Sequence, residues 1–247
     1  MHEHDIVEDA GRRAVWTRER DLAPNPEATR QQLIGAAETL FATRGIDAVS
    51  LREITVAAGV RNSTALQYHF GDREGILRAV LRKHYPDVEL RRHALLDEYE
   101  TGATSELRPL VAAFVRPAAS KLADQDGGRE YLRIMAQLVN RPEIRVAEPV
   151  RSDRNDSTYR WRQLVAPHLP EVAVTRLHRR FTAIRVTFIE LARRAEVRPA
   201  RDDRLFTSHL IDLVTGVLDA PLSEETLRLL DTKARAPARP AAPTAGR

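Results

Sequence analysis

Hydrophobic positions recur at helical spacing along almost the whole chain, and no run of alternating apolar and polar residues argues for a sheet. The predicted fold class is all-α. A first helix is expected over Pro26–Arg44: Asn25 is a candidate N-cap, Pro26 suits the first helical position, and Leu33, Ala37, Leu40 and Phe41 form one apolar stripe. Gly45 can close its end in a left-handed conformation. A second helix starts at Ser50, where Ser50-Leu51-Arg52-Glu53 has the spacing of a capping box, and stops near Ala58-Gly59. A third is expected from about Asn62 to Phe70. After the Gly71-Asp72 break a fourth runs from Arg73 to about Tyr85. Further breaks at Gly102, Gly127-Gly128, Arg141-Pro142, Pro149, Pro167 to Pro170, Pro199 and Pro221 divide the remainder, for about nine or ten helical segments in all.

Four stretches follow. Residues 1–25 are polar, lack periodicity and end in Pro24-Asn25-Pro26, so they read as a flexible arm. Residues 26–72 form the first helical unit and residues 73–233 a larger one. From Ala234 to Arg247 the chain is rich in Ala, Pro and Arg and cannot bury a core, the composition of a disordered tail.

The most informative stretch is Ser50 to Phe70. Two short helices joined by the tight Ala57-Ala58-Gly59-Val60 turn have helix-turn-helix spacing, and Gly59 supplies the positive φ that the turn requires. Leu51, Ile54, Ala58, Val60, Leu66 and Phe70 are spaced to pack both helices on the first. That leaves Arg61, Asn62, Ser63, Thr64 and, one turn on, Gln67 exposed at the tip of the third helix. Arginine can pair with guanine, and Asn or Gln with adenine. Tyr68, His69 and Arg73 stand where a recognition helix leaves the groove and are candidate phosphate contacts, as are Ser50 and Arg52 at the start of the second helix.

The chain resembles the TetR family of bacterial one-component transcriptional regulators in three runs. They are Leu33-Ile34-Gly35-Ala36-Ala37-Glu38-Thr39-Leu40-Phe41-Ala42-Thr43-Arg44-Gly45, then Ser50-Leu51-Arg52-Glu53-Ile54 with Ala57-Ala58-Gly59-Val60, then Tyr68-His69-Phe70-Gly71-Asp72-Arg73-Glu74-Gly75-Ile76-Leu77. Nine residues separate Val60 from Phe70, one more than the family pattern, and Gln67, Arg73 and Thr55 stand where Tyr, Lys and Ala are usual. The resemblance implies a helix-turn-helix domain followed by a helical ligand-binding and dimerisation domain. It implies a homodimer bound to a palindromic operator in double-stranded DNA, and a repressor released by a small hydrophobic effector. Two other readings stay open on the residues alone: an all-α adaptor that no longer binds DNA, and an activator using the same head.

In the larger unit Val174, Leu177, Phe181, Ile184, Phe188 and Leu191 follow steps of three and four, an apolar seam expected on one long helix. Phe206, Leu210, Leu213 and Val217 repeat the spacing on the next helix. Such faces can bury within one chain; the resemblance assigns them to a dimer interface. It also places the effector among the helices from about Gly75 to Trp161, with Tyr85, Leu95, Tyr99, Phe114, Met135, Leu138 and Trp161 as candidate lining.

Composition narrows the chemistry. The chain is 43% hydrophobic and 30% charged, ordinary for a packed soluble domain. The net charge of +4 does not mark the head, because basic and acidic residues balance at 12 each through Lys83. With no cysteine there is no disulfide, thiolate nucleophile or Cys-bound metal. No Gly-x-Ser-x-Gly, phosphate-cradling glycine loop or His-Glu-x-x-His occurs, and the eight histidines are scattered. The expectation is therefore no enzyme, no cofactor and no metal. No apolar run is long enough to span a bilayer and the N-terminus is too polar for a signal peptide, so no membrane association is expected and the cytoplasm is the default location.

Overall fold

The computed structural model describes residues 25–61, 64–102, 104–141, 155–197 and 202–235, and among them regular structure is helical throughout. The N-terminal unit, here called the head, opens with α1 (Pro26–Arg44). Its first turn is closed by Asn25, whose side-chain oxygen accepts from the Glu27 N–H at 3.0 Å. The α2 helix (Leu51–Ala57) has the full capping box. Ser50 Oγ accepts from the Glu53 N–H at 3.2 Å, and the Glu53 carboxylate accepts from the Ser50 N–H at 2.8 Å. Such a cap is worth about 1 kcal/mol, a large share for a helix of seven residues. Thr55 buries its hydroxyl here but donates it to the Leu51 carbonyl at 3.0 Å, so the hydroxyl is satisfied. After the turn at Gly59 (φ 67°), α3 spans Ala65–Phe70. It starts three residues later than the spacing predicts, and Asn62 and Ser63 lie outside the described residues.

The α4 helix (Arg73–Thr101) does not stop near Tyr85. It runs for 29 residues straight past Pro86. Proline removes one backbone donor, but Pro86 lies on an exposed face, where water can serve the carbonyl left without a partner. Next come α5 (Leu107–Ala119), buried along most of its length, a 3₁₀ turn at Ser120–Leu122, and α6 (Gly128–Val139). The chain continues through α7 (Ser157–Val165), a 3₁₀ turn at Ala166–His168, α8 (Glu171–Thr175), α9 (Arg179–Glu196), α10 (Arg204–Asp219) and α11 (Glu224–Arg235). The arm lies outside the described residues up to residue 24. Of the predicted tail, residues 234 and 235 belong to α11 and the rest is outside.

The single long helix expected to carry the Val174–Leu191 seam is two helices. Between α8 and α9 the chain turns at Arg176–His178, and His178 takes the left-handed conformation (φ 50°). Sequence pattern alone misses such a break, because positive φ is uncommon at any residue other than glycine and one histidine within an apolar repeat does not mark it.

Two cores form. The head core joins Leu33, Ala37, Phe41, Ile54 and Leu66 to Ile76 and Val80 from the first turns of α4, and to Ile134 from α6. The body core gathers around α5, with Leu110, Phe114, Trp161, Phe188, Leu191 and Val214. Phe114 and Trp161 stack with ring centres 4.5 Å apart, and the Trp161 indole N–H donates to the Leu110 carbonyl at 2.9 Å. Arginines close two helix ends, where carbonyls lack intrahelical partners. Arg129 donates to the Arg194 and Ala195 carbonyls at the end of α9, and Arg179 to the Leu218 carbonyl at the end of α10.

Candidate nucleic-acid interface

Leu66 is 1% exposed in the head core and Ala65 is buried beside it, which fixes the rotation of α3. Helical spacing then turns Thr64, Gln67 and Tyr68 outward together, since positions three and four apart share a face. All three are exposed, Tyr68 to 83%, and Arg61 is exposed just before them. Tyr68 leans edge-on against His69, with ring centres 5.1 Å apart, and His69 is half-buried. At the far end of the helix the Arg30 guanidinium of α1 lies 5.7 Å from the Phe70 ring centre and holds that end in place.

The second helix is held by charge as well as by its cap. Glu53 Oε1 lies 2.6 Å from the Arg44 guanidinium on α1. The Ser50 backbone N–H, the Ser50 hydroxyl and then Arg44 hold the Glu53 carboxyl down at about 2. Ser50 is therefore committed to the cap, its hydroxyl also donating to Glu53 Oε2 at 2.7 Å. Arg52 is exposed, and so is Val56 one turn later, at 72%. The hydrophobic pattern did not single out Val56, because a valine in a short helix reads as core. Arg73 is half-buried: its Nη1 donates to the Asp47 carbonyl at 3.4 Å, and its Nε is buried without a hydrogen-bond partner.

The seven candidate effector-lining residues are spread over different surroundings, and none of them lines either of the two hollows described below. Phe114 and Trp161 are close-packed core. The Tyr85 hydroxyl donates to the Asp156 carboxylate, and burial, with that hydrogen bond, holds the phenol far above its ordinary range. Leu95, Tyr99 and Met135 are partly buried against the body core, whereas Leu138 packs on the head core. Amid the first group sits Arg92, 2% exposed. Its guanidinium lies 4.6 Å from the Phe114 ring centre, and its Nη1 donates to Glu89, Ser157 and Thr158 at 3.1, 2.8 and 3.0 Å. Nothing in its sequence context marks it, since an arginine is ordinarily read as surface. Two hollows lie elsewhere. One of about 430 Å³ runs between α1 and α2 beside Gly35, Thr39 and Ala58; the other, about 300 Å³, lies between α6 and α9 beside Arg133, Gln137 and Ile189.

The candidate dimer positions are divided. Ile184, Phe188, Leu191 and Leu210 are buried in their own chain, and Val174, Phe181, Phe206 and Val217 pack partly against the same core. Leu177 and Leu213 are exposed, and Leu205, absent from the predicted seam, is exposed to 84%. Among the described residues no group of three or more His, Asp or Glu could hold a metal ion. No single helix there is long and apolar enough to cross a membrane; only α10 and α11 together pass that test, bent by 51°.

Residues 33–80 match the family described as bacterial regulatory proteins, tetR family, and residues 112–215 the family described as tetracyclin repressor-like, C-terminal domain. The chain is 34% identical over 95 residues to the HTH-type transcriptional repressor KstR2 of Mycolicibacterium smegmatis, covering 38% of this chain and 44% of that protein. It is 39% identical over 59 residues to the protein of the same name from Rhodococcus jostii, covering 24% and 28%. The chain thus spans less than half the length of these curated relatives. The crystal structure of Mycobacterium smegmatis AmtR superposes with a TM-score of 0.52 at 20% identity, over 88% of this chain and 97% of that one, which is a likeness of fold.

Proposed function

The chain belongs to the TetR family of bacterial regulators, and we propose that it is a dimeric transcriptional repressor that leaves a palindromic operator when a small molecule occupies its helical body. The observation that carries this reading is the outward face of α3. Thr64, Gln67 and Tyr68 are exposed on the side of α3 opposite the buried Leu66, with Arg61 exposed just before them. In a major groove Arg61 would read guanine and Gln67 adenine, with Tyr68 on a phosphate. The names of the KstR2 relatives support repression as the sign of regulation.

Pairing of two chains would use what α9 and α10 leave uncovered, above all Leu205 and Leu213. A two-fold dimer sets two recognition helices about one DNA turn apart, roughly 34–36 Å. The effector is proposed to be a small, largely apolar molecule lodged near Leu95, Tyr99 and Met135, acting by favouring a dimer whose heads no longer match the operator spacing.

Selection of bound sequences from random duplex DNA at low salt tests the reading. Recovery of a palindrome with half-sites about one turn apart is the expected result. Recovery of no preferred sequence would overturn it in favour of an adaptor role. Reporter expression from the recovered operator then separates repression from activation.

A further inference from the structure

Glu38 belongs to the head helix α1, yet its carboxylate is buried, 3% exposed, against groups from the body. Its Oε1 lies 2.5 Å from His84 Nε2 and its Oε2 2.8 Å from Lys83 Nζ, both on α4 one turn beyond the head core. Lys83 also reaches Asp126 at 2.6 Å, in the loop that leads into α6. His84 is 1% exposed, rests on the Tyr131 ring of α6 with centres 5.0 Å apart, and turns its Nδ1 to Asp124 at 3.6 Å. Lys121 closes the far side, 3.0 Å from both Asp124 and Asp87. Gly127 completes the cradle: it sits at φ 79°, and a Cβ there would run into the Glu38 carboxylate.

A second attachment lies near the other end of α6. Gln137 donates from Nε2 to the Phe41 carbonyl and accepts the Ile46 N–H, both at 2.9 Å, gripping the end of α1 and the loop towards α2. Arg141, just past α6, adds an ion pair to Asp47 at 2.6 Å, so the head is held at both ends of α6. Burying a carboxylate against an imidazole and an ammonium adds little stability over apolar packing, but the contact is directional.

We infer that Glu38 is a positioning residue that locks the tilt of the DNA-reading head on the body through His84, Lys83 and the Gly127 cradle. Its consequence at the operator rests on the reading of α3 given above, because a head freed at Glu38 would tilt about its remaining contacts with α4 and the far end of α6 and blur the half-site spacing. The lock itself is a property of the chain alone.

The chain has no cysteine, so spin labels at V56C and L90C, both 72% exposed, report the head-to-body distance without background. Unlabelled protein in excess isolates the intrachain pair. The parent should give one narrow distance distribution. E38Q, which keeps shape but loses charge, and G127A, which displaces the carboxylate from the body side, should each broaden or shift it. Circular dichroism confirms folding of both. An unchanged distribution in both folded variants would overturn the inference and leave Glu38 a satisfied core carboxylate. On DNA, E38Q should lower discrimination between the preferred spacing and one altered by a base pair about tenfold, or ~1.4 kcal/mol, with base preference within each half-site retained. Equal discrimination would count against the lock at the operator. If the parent selects no DNA, the regulator reading fails while the distance measurement still decides the lock.

Discussion

The head and the body are both helical, but they are specified in different ways. In the head nearly every helix end carries its own signal: Asn25 and Pro26 open α1, Gly45 closes it, Ser50 and Glu53 cap α2, Gly59 makes the turn, and Asp72 accepts from the Gly75 N–H to start α4. In the body some ends are signalled locally, at Gly102, Gly127 and the Asp156 cap of α7, but several events are not. The α4 helix passes through Pro86, α8 and α9 part at a histidine, and helix ends are closed by arginines from distant segments. Short-range capping makes a unit legible from its sequence; long-range packing does not.

That contrast can be broken or sharpened by experiment. The largest effect is expected in the body, where Trp161→Ala removes a fully buried ring stacked on Phe114 and a hydrogen bond to Leu110. Loss of about 3–5 kcal/mol should lower the thermal midpoint strongly, with the body amides losing exchange protection before those of the head. Simultaneous loss in both would show that the two cores melt as one.

Next in size, and opposite in kind, is the head surface. Arg61→Ala or Gln67→Ala should each weaken binding to the selected operator by about 1–3 kcal/mol and leave the melting curve where it was. Titration against operators changed at single positions would show relaxed preference at one base pair for each variant. Uniform weakening across sequences would reassign that side chain to the phosphates.

A smaller change is expected from Ser50→Ala, which removes the cap of α2 while burying nothing new. It should cost about 1 kcal/mol, read as a modest shift of the unfolding midpoint in urea. No shift would mean that packing of Ile54 alone holds α2 and that local signals matter less to the head than its sequence implies.

The smallest concerns acid. Glu53 is held at about 2 against a usual 4.5, so its contribution is fully present above 4.5 and is lost as the pH falls from there towards 2. Amide exchange in α2 should rise across that window relative to α1. Glu53→Gln should remove this selective rise; its persistence in that variant would trace it to other groups.

The same comparison shows how far the candidate sites were legible. Thr64, Gln67 and Tyr68 could be picked out as exposed because Leu66 and Phe70 mark the opposite side of the helix by spacing alone. Arg73 is a candidate phosphate contact by its place after α3, and its contact with the Asp47 carbonyl, 26 residues away, could not be read from spacing. The seam through Ile184, Phe188 and Leu191 had the correct period, but periodicity reveals that a face is apolar, never which surface covers it. Here α5, α6 and α10 of the same chain do so. Glu38 and Arg92 were invisible as buried groups, since charged residues are read as solvated until partners from other segments are known.

Sequence by itself determined the all-helical class, the helix-turn-helix and the face of α3 that looks outward, because each depends on caps, turns and spacings within a few residues. Tertiary structure alone decided that α4 joins head to body, that Ile184, Phe188 and Leu191 of the apolar seam pack into the chain's own core while Leu177 stays exposed, and that Glu38 meets His84. Those outcomes depend on which distant surfaces come together, and burial free energy is set by the pair of surfaces rather than by either one.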